Sequence, residues 1–161
     1  MAKIKQLSIR GFKSIQSQEI TFEQINLLIG SNGAGKSNLI ALFRMLNYML
    51  TDSLQNFVAQ EGFANSLLYM GASITPQMEV KITFDQDGKA SIYSFRLAHG
   101  AKDVLVFLDE VIEFQRPESP RPKTESLGTG HRESMLKEEK AAGNKTASVL
   151  VHFLSQCRAY Q

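Results

Sequence analysis

Eight residues, Gly30-Ser31-Asn32-Gly33-Ala34-Gly35-Lys36-Ser37, follow the spacing G-x-x-x-x-G-K-[ST]. That spacing suits chemistry on phosphate. Glycines tolerate backbone angles that a side chain would block. Successive N–H groups then turn inward and form a cradle for phosphate oxygens. A helix that starts near Lys36 adds the positive end of its dipole. In this pattern Lys36 reaches the β- and γ-phosphates, and the Ser37 hydroxyl sits on Mg²⁺. Average residue usage yields the pattern in roughly 0.5% of chains this long, so chance competes poorly. The expected ligand is a nucleoside triphosphate with Mg²⁺. The bland alternative is a glycine-rich turn at a strand–helix junction.

Hydrolysis needs more than a cradle: a second metal-organising acid on a strand and a residue that positions water. "VLVFLDE", residues 104–110, offers Asp109 and Glu110. The stretch follows two strands at hairpin spacing and continues past its acids as "VIEF". The expectation is therefore an edge strand with exposed acids. "DQDG" at 85–88 matches a GTPase pattern but lies between two alternating strands, where a β-turn is the better reading. "GNKTA" at 143–147 ends in Ala147 where a guanine-reading carboxylate would stand. His99, His131 and His152 have no metal-ligand spacing. "SLGTGHRES" at 126–134 is glycine-rich without a following lysine and reads as a loop leading into a helix.

The elements that must position the cradle follow from hydrophobic period. Residues 3–9 and 18–22 read as short strands around a turn region at Gly11. "INLLI" at 25–29 is apolar without alternation, as a strand buried on both faces would be. Leu39, Leu42, Phe43, Leu46, Met49 and Leu50 fall at helical spacing, so 36–50 is an amphipathic helix. "TDS" at 51–53 is expected to cap a second helix carrying Leu54, Phe57 and Val58. Strands at 78–84, 90–97 and 103–112 form an antiparallel meander. The proline-rich "RPESPRP" at 116–122 opens a polar loop that runs to about residue 130. A charged helix is expected at 131–142. Another is expected at 146–157, with Val149, Leu150, Phe153 and Leu154 inward. "RAYQ" at the end reads as the start of a strand. Three segments result: a core at 1–60 that carries the cradle, a β subdomain at 61–115, and a loop with helices at 116–161.

Composition bounds the rest. The chain has 161 residues, 43% hydrophobic and 21% charged, with net charge +2, as a globular domain does. That charge is too small to argue for nucleic acid or membrane. Lys3, Lys5, Arg10 and Lys13 precede the first acid, Glu19, and read as a solvated strand face. Cys157 is the single cysteine, so no disulfide forms within the chain. The N-terminus lacks a signal-peptide core, and no 18-residue apolar run spans a membrane. A cytoplasmic location is the expectation.

"IKQLSIRGFKSI", then "ITF", then "INLLIGSNGAGKSNLI" resembles the start of ABC-type ATPase heads of the RecF, SMC and AAA-family predicted-ATPase group. The matching positions are Phe12, Lys13 and Ser14, then Gly30 to Asn38. "SLGTGHRESML" is also similar to bacterial members of that group. The resemblance implies an α/β P-loop NTPase head, here its N-terminal half with an antiparallel β-meander subdomain. It implies ATP and Mg²⁺ as ligands, with Gly30, Ser31, Asn32, Gly33, Ala34, Gly35, Lys36, Ser37 and Asn38 at the nucleotide and Ser37 on the metal. It also places Lys13 and Ser14 near the nucleotide. Gln60 stands where such heads carry a glutamine that touches Mg²⁺ and water, or is a surface glutamine at a helix end. Relatives dimerise on ATP, and many act on DNA. No signature motif, Walker B strand or switch histidine is assignable. The chain is therefore expected to be the N-terminal half of a head, from a truncated gene or a trimmed product, and to hydrolyse ATP slowly or not at all alone. Self-association, or a chain carrying the missing half, is the expected partner. The alternatives are an interaction module or inert fragment with a vestigial site, and a P-loop kinase or GTPase.

Overall fold

Period-2 alternation produces one long sheet. In the computed structural model, which describes residues 3–27, 29 and 35–157, β1 (Lys3–Phe12) and β2 (Ile15–Thr21) form a hairpin. Three helices follow: α1 (Lys36–Met49), α2 (Leu54–Gln60) and α3 (Phe63–Leu67). The meander is β3 (Gln77–Gln86), β4 (Lys89–Gly100), β5 (Val104–Gln115) and β6 (Lys123–Gly128), and α4 (Leu136–Ala141) and α5 (Lys145–Gln156) close the order. The sheet runs β2-β1-β3-β4-β5-β6, and every neighbouring pair is antiparallel.

One face of the sheet carries the core. Leu7 and Ile9, then Val80, Ile82 and Phe84, then Phe95 and Leu97, then Leu105 and Phe107 are buried across four strands. The apolar stripe of α1 (Leu42, Met45, Leu46, Met49), Phe57 of α2, and Leu150, Phe153 and Leu154 of α5 join the same cluster. Phe84 and Phe153 meet at 5.4 Å between ring centroids. Each such ring contributes roughly 1.5–3 kcal/mol by leaving water. The other face is solvated. There Arg10, Glu79, Arg96 and Asp109 stand opposite one another on successive strands, a row of alternating charge.

Local chemistry sets the turns. Asp87 and Gly88 alone separate the paired residues Gln86 and Lys89, with φ of 55° and 79°. Two positive φ values in a two-residue hairpin suit an Asp-Gly pair, so "DQDG" is a hairpin turn. Gly11 has φ 72°, and a Cβ there would lie 2.7 Å from the Gln77 carbonyl oxygen. Only glycine fits that approach.

Five expectations need correction. Residues 25–27 and 29 form no strand, and Ile25, Leu27 and Ile29 are 90%, 81% and 84% exposed. A strand exists by pairing, and these residues pair with no strand in the described sheet, whose edge is β2. The polar loop gives way at Lys123 to β6, which pairs with β5 and buries only Leu127 among its apolar side chains. The charged helix starts at Leu136 because residues 131–135 are held by bonds to β5 and α2. Val149 is 36% exposed, while Ala147 is buried in its place. Ser53 stands at the N-cap of α2 but makes no side-chain capping bond. Glu133 caps that helix instead, accepting from the Leu54 and Gln55 N–H groups at 2.7 and 3.1 Å.

Candidate functional site

Of the cradle, Gly30, Ser31, Asn32, Gly33 and Ala34 lie outside the described residues, and Gly35, Lys36, Ser37 and Asn38 are described. Gly35 is the N-cap of α1 at φ 90°, a left-handed angle that favours glycine. Its carbonyl accepts from Asn38 and Leu39 N–H at 3.1 and 3.0 Å. The first turn carries no acidic residue and no side-chain cap. A helix start leaves backbone N–H donors without intrahelical acceptors, and here no N-cap side chain competes for them. With the half-buried Lys36 and the exposed Ser37 hydroxyl, this donor set fits a polyphosphate with Mg²⁺.

The β1–β2 turn is seated on that helix start. Asn38 Nδ2 donates to Ser14 Oγ at 2.6 Å. A Cβ on Gly35 would lie 3.7 Å from Ile15 Cγ1 and 3.8 Å from Ser14 Oγ. Lys13 is anchored beside it: its N–H donates to the Leu67 carbonyl at 2.8 Å. Its ammonium donates to Glu61 Oε2 at 2.6 Å, and Arg44 Nη1 donates to Glu61 Oε1 at 3.3 Å. Ser14, Gly35 and Asn38 are thus brought together, with Lys13 next to them. Gln60 is not among them. It accepts from the Tyr48 hydroxyl at 2.9 Å, and Tyr48 follows Lys36 by twelve residues, about 18 Å along the α1 axis. There it borders a shallow hollow of about 530 Å³ with Asn47, Thr51 and Asn56.

The exposed-edge reading of Asp109 and Glu110 is overturned. β5 is an interior strand, and Glu110 is 0% exposed. The cause is a bulge. Leu97 pairs with Phe107 but Arg96 pairs with Asp109, so Leu108 is an extra residue on β5. One extra residue reverses which positions face the core. Asp109 is thereby turned out to an ion pair with Arg96, and Glu110 is turned in. A buried carboxylate is tolerable only with partners. Glu110 Oε1 accepts from the Tyr93 and Ser134 hydroxyls at 2.5 and 2.6 Å. Its Oε2 accepts from His131 Nε2 and Met135 N–H at 2.8 and 2.9 Å. Burial first, and the Glu110 charge second, push the Tyr93 hydroxyl well above its ordinary pKa. The His131 ring also stacks on Phe107 at 4.5 Å. Four donors saturate the carboxylate, so it serves as an anchor for residues 131–135 and has no lone pair left for water.

A cavity of about 750 Å³ lies between the β1–β2 hairpin, α1 and the end of α5, lined by Ile20, Phe22, Ile25, Leu27, Leu39 and Phe43. Cys157 borders it, and burial pushes its thiol up to about 11, so it stays a neutral thiol at neutral pH. Among the described residues no group of three or more His, Cys, Asp or Glu is placed to hold a metal. No helix among them is long and apolar enough to cross a membrane.

Comparison with known proteins gives a family. Residues 6–150 match the family described as "AAA domain". Structural maintenance of chromosomes protein 3 from Arabidopsis thaliana is 40% identical over 72 residues, 43% of this chain and 6% of that protein. Its namesake from Saccharomyces cerevisiae (strain ATCC 204508 / S288c) is 32% identical over 108 residues, 64% of this chain and 8% of that protein. The chain thus spans under a tenth of the length of either relative. A solved structure, from work on the ATP-driven dimerization and DNA-stimulated activation of SMC ATPases, aligns over 91% of this chain and 79% of its own. Its TM-score is 0.43 at 20% identity. The match to residues 6–150 covers most of the sequence, and with its mixed α/β fold the chain belongs to the AAA domain family.

Proposed function

We propose that this chain binds Mg·ATP as the N-terminal part of an ATPase head related to those of structural maintenance of chromosomes proteins. The observation that carries the reading is the phosphate-loop pattern at residues 30–37, opening an amphipathic helix whose first turn has no acid and no side-chain cap. In this reading the backbone of 30–35 cradles the phosphates. Lys36 neutralises phosphate charge, Ser37 ligates Mg²⁺, and Asn38 ties the helix start to Ser14. When bound, ATP would supply a γ-phosphoryl group for transfer to water, with ADP as the leaving group. Among the described residues neither Asp109 nor Glu110 is available to activate that water, since one is paired with Arg96 and the other saturated. Hydrolysis by this chain alone is accordingly absent or very slow. Residues 1–60 serve the nucleotide and give β1 and β2 to the sheet, 61–115 supply its β3, β4 and β5, and 116–161 add β6 with the loop and helices that brace it. The names of the two curated relatives support a role in DNA maintenance. Calorimetric titration with Mg·ATP, and with Mg·GTP as competitor, tests the reading. Binding that Lys36→Ala abolishes and that prefers ATP supports it. Equal binding by Lys36→Ala, or preference for GTP, contradicts it.

A second reading is an interaction module with a vestigial nucleotide site. The exposure of Ile25, Leu27 and Ile29 favours it. Its partner is a second copy or a chain carrying further strands. Concentration-dependent association, unaffected by ATP, is its signature.

A further inference from the structure

Lys13 is the first of two residues joining β1 to β2, and its φ is 49°. That angle suits glycine and strains a lysine. A side chain retained in such a position points to a use for it. Its backbone is fixed next to Ser14, which touches the first turn of α1. Its ammonium is aimed elsewhere, at Glu61. The other oxygen of Glu61 takes Arg44, eight residues beyond Lys36 and about 12 Å along the helix axis. Arg44 also lies over the Phe57 ring at 5.9 Å. The Lys13 and Glu61 side chains are 22% and 16% exposed, so solvent screens the pair only in part.

We infer that Glu61 is a latch that stores Lys13 as a second cation for the polyphosphate; the inference rests on the Mg·ATP reading above. In the free chain one carboxylate serves two cations. When the triphosphate arrives at the start of α1, the Lys13 ammonium leaves Glu61 for the phosphate oxygens, and Arg44 stays with Glu61. Each anion then has its own cation, and no carboxylate is left unpaired. The exchange is cheap for that reason: removing one partner of a partly buried pair is costly only when the other is left uncompensated. Glu61 acts through Lys13 and is a positioning residue.

Mg·ATP calorimetry on Glu61→Gln tests this, with melting curves to establish that the variant folds. Releasing Lys13 tightens binding roughly two- to fivefold, the range of a partly exposed ion pair. It also steepens the fall of affinity with salt, because the new pair with the phosphates is no longer offset by a Lys13–Glu61 pair given up on binding. In a Lys13→Ala background the gain from Glu61→Gln vanishes, and in an Arg44→Ala background it persists. Unchanged or weaker binding by Glu61→Gln, or a gain that survives Lys13→Ala, overturns the latch and leaves the nucleotide reading standing. No binding by the wild type or by any variant removes the nucleotide reading, and the latch with it.

Discussion

Two regions of this chain place a residue in an environment opposite to its chemistry, and they resolve the conflict differently. At the middle of β5 a carboxylate, Glu110, sits at 0% exposure among apolar side chains. Four donors from β4 and from the segment 131–135 meet it there. Beyond β2, Ile25, Leu27 and Ile29 stand in water, and among the described residues no strand pairs with them. The buried charge is fully satisfied inside the chain, and the exposed apolar side chains are not. Self-contained stability therefore resides in the meander and its helices, and uncovered apolar surface resides at Ile25, Leu27 and Ile29, just ahead of the Gly30–Ser37 motif.

The largest expected effect breaks the satisfied side. Glu110→Ala leaves the Tyr93, Ser134 and Met135 donors without their acceptor, and costs about 3–5 kcal/mol in urea unfolding. A loss under about 1 kcal/mol would mean that the network is incidental. Glu133→Ala sharpens the picture at smaller scale. It removes the cap of α2 and costs about 1 kcal/mol, with little change elsewhere. Substitution on the unsatisfied side is expected to cost least. Leu27→Ser changes stability by no more than about 0.5 kcal/mol, because the side chain is already in water, and it lowers any concentration-dependent association seen by sedimentation. A destabilisation of several kcal/mol by Leu27→Ser would show that residues 25–29 are buried in the free chain and would erase the contrast.

The same contrast explains what was legible in the sequence. The hairpin turn at Asp87 and Gly88, the stripe of α1, and the alternation of β3 and β4 are local in origin, so local pattern finds them. So is the opening of α1 by glycine, lysine and serine, the part of the candidate site that pattern alone picks out. The placement of Glu110 is not local. A single extra residue, Leu108, reverses the parity of β5, and nothing in "VLVFLDE" announces it. The cap of α2 comes from Glu133, 79 residues away from Leu54, so the adjacent "TDS" misleads. Residues 25–29 read as buried because their composition suits a central strand, but burial depends on neighbours that composition does not carry. The grip of Glu61 on Lys13 is likewise tertiary, with 48 residues between the partners. The reading of Gln60 at the metal rests on resemblance alone, and its bond to Tyr48, near the far end of α1, holds it away from Lys36.

Ligand-linked stability tests the central claim most directly, since it joins the satisfied fold to the unsatisfied edge. Unfolding by urea would be followed with and without Mg·ATP, for wild type and Lys36→Ala. Ligand that binds only the folded chain adds about 2.7 kcal/mol at a hundredfold excess over Kd. The account predicts such a gain for wild type and none for Lys36→Ala. A wild type whose unfolding is indifferent to Mg·ATP at millimolar concentration would contradict it.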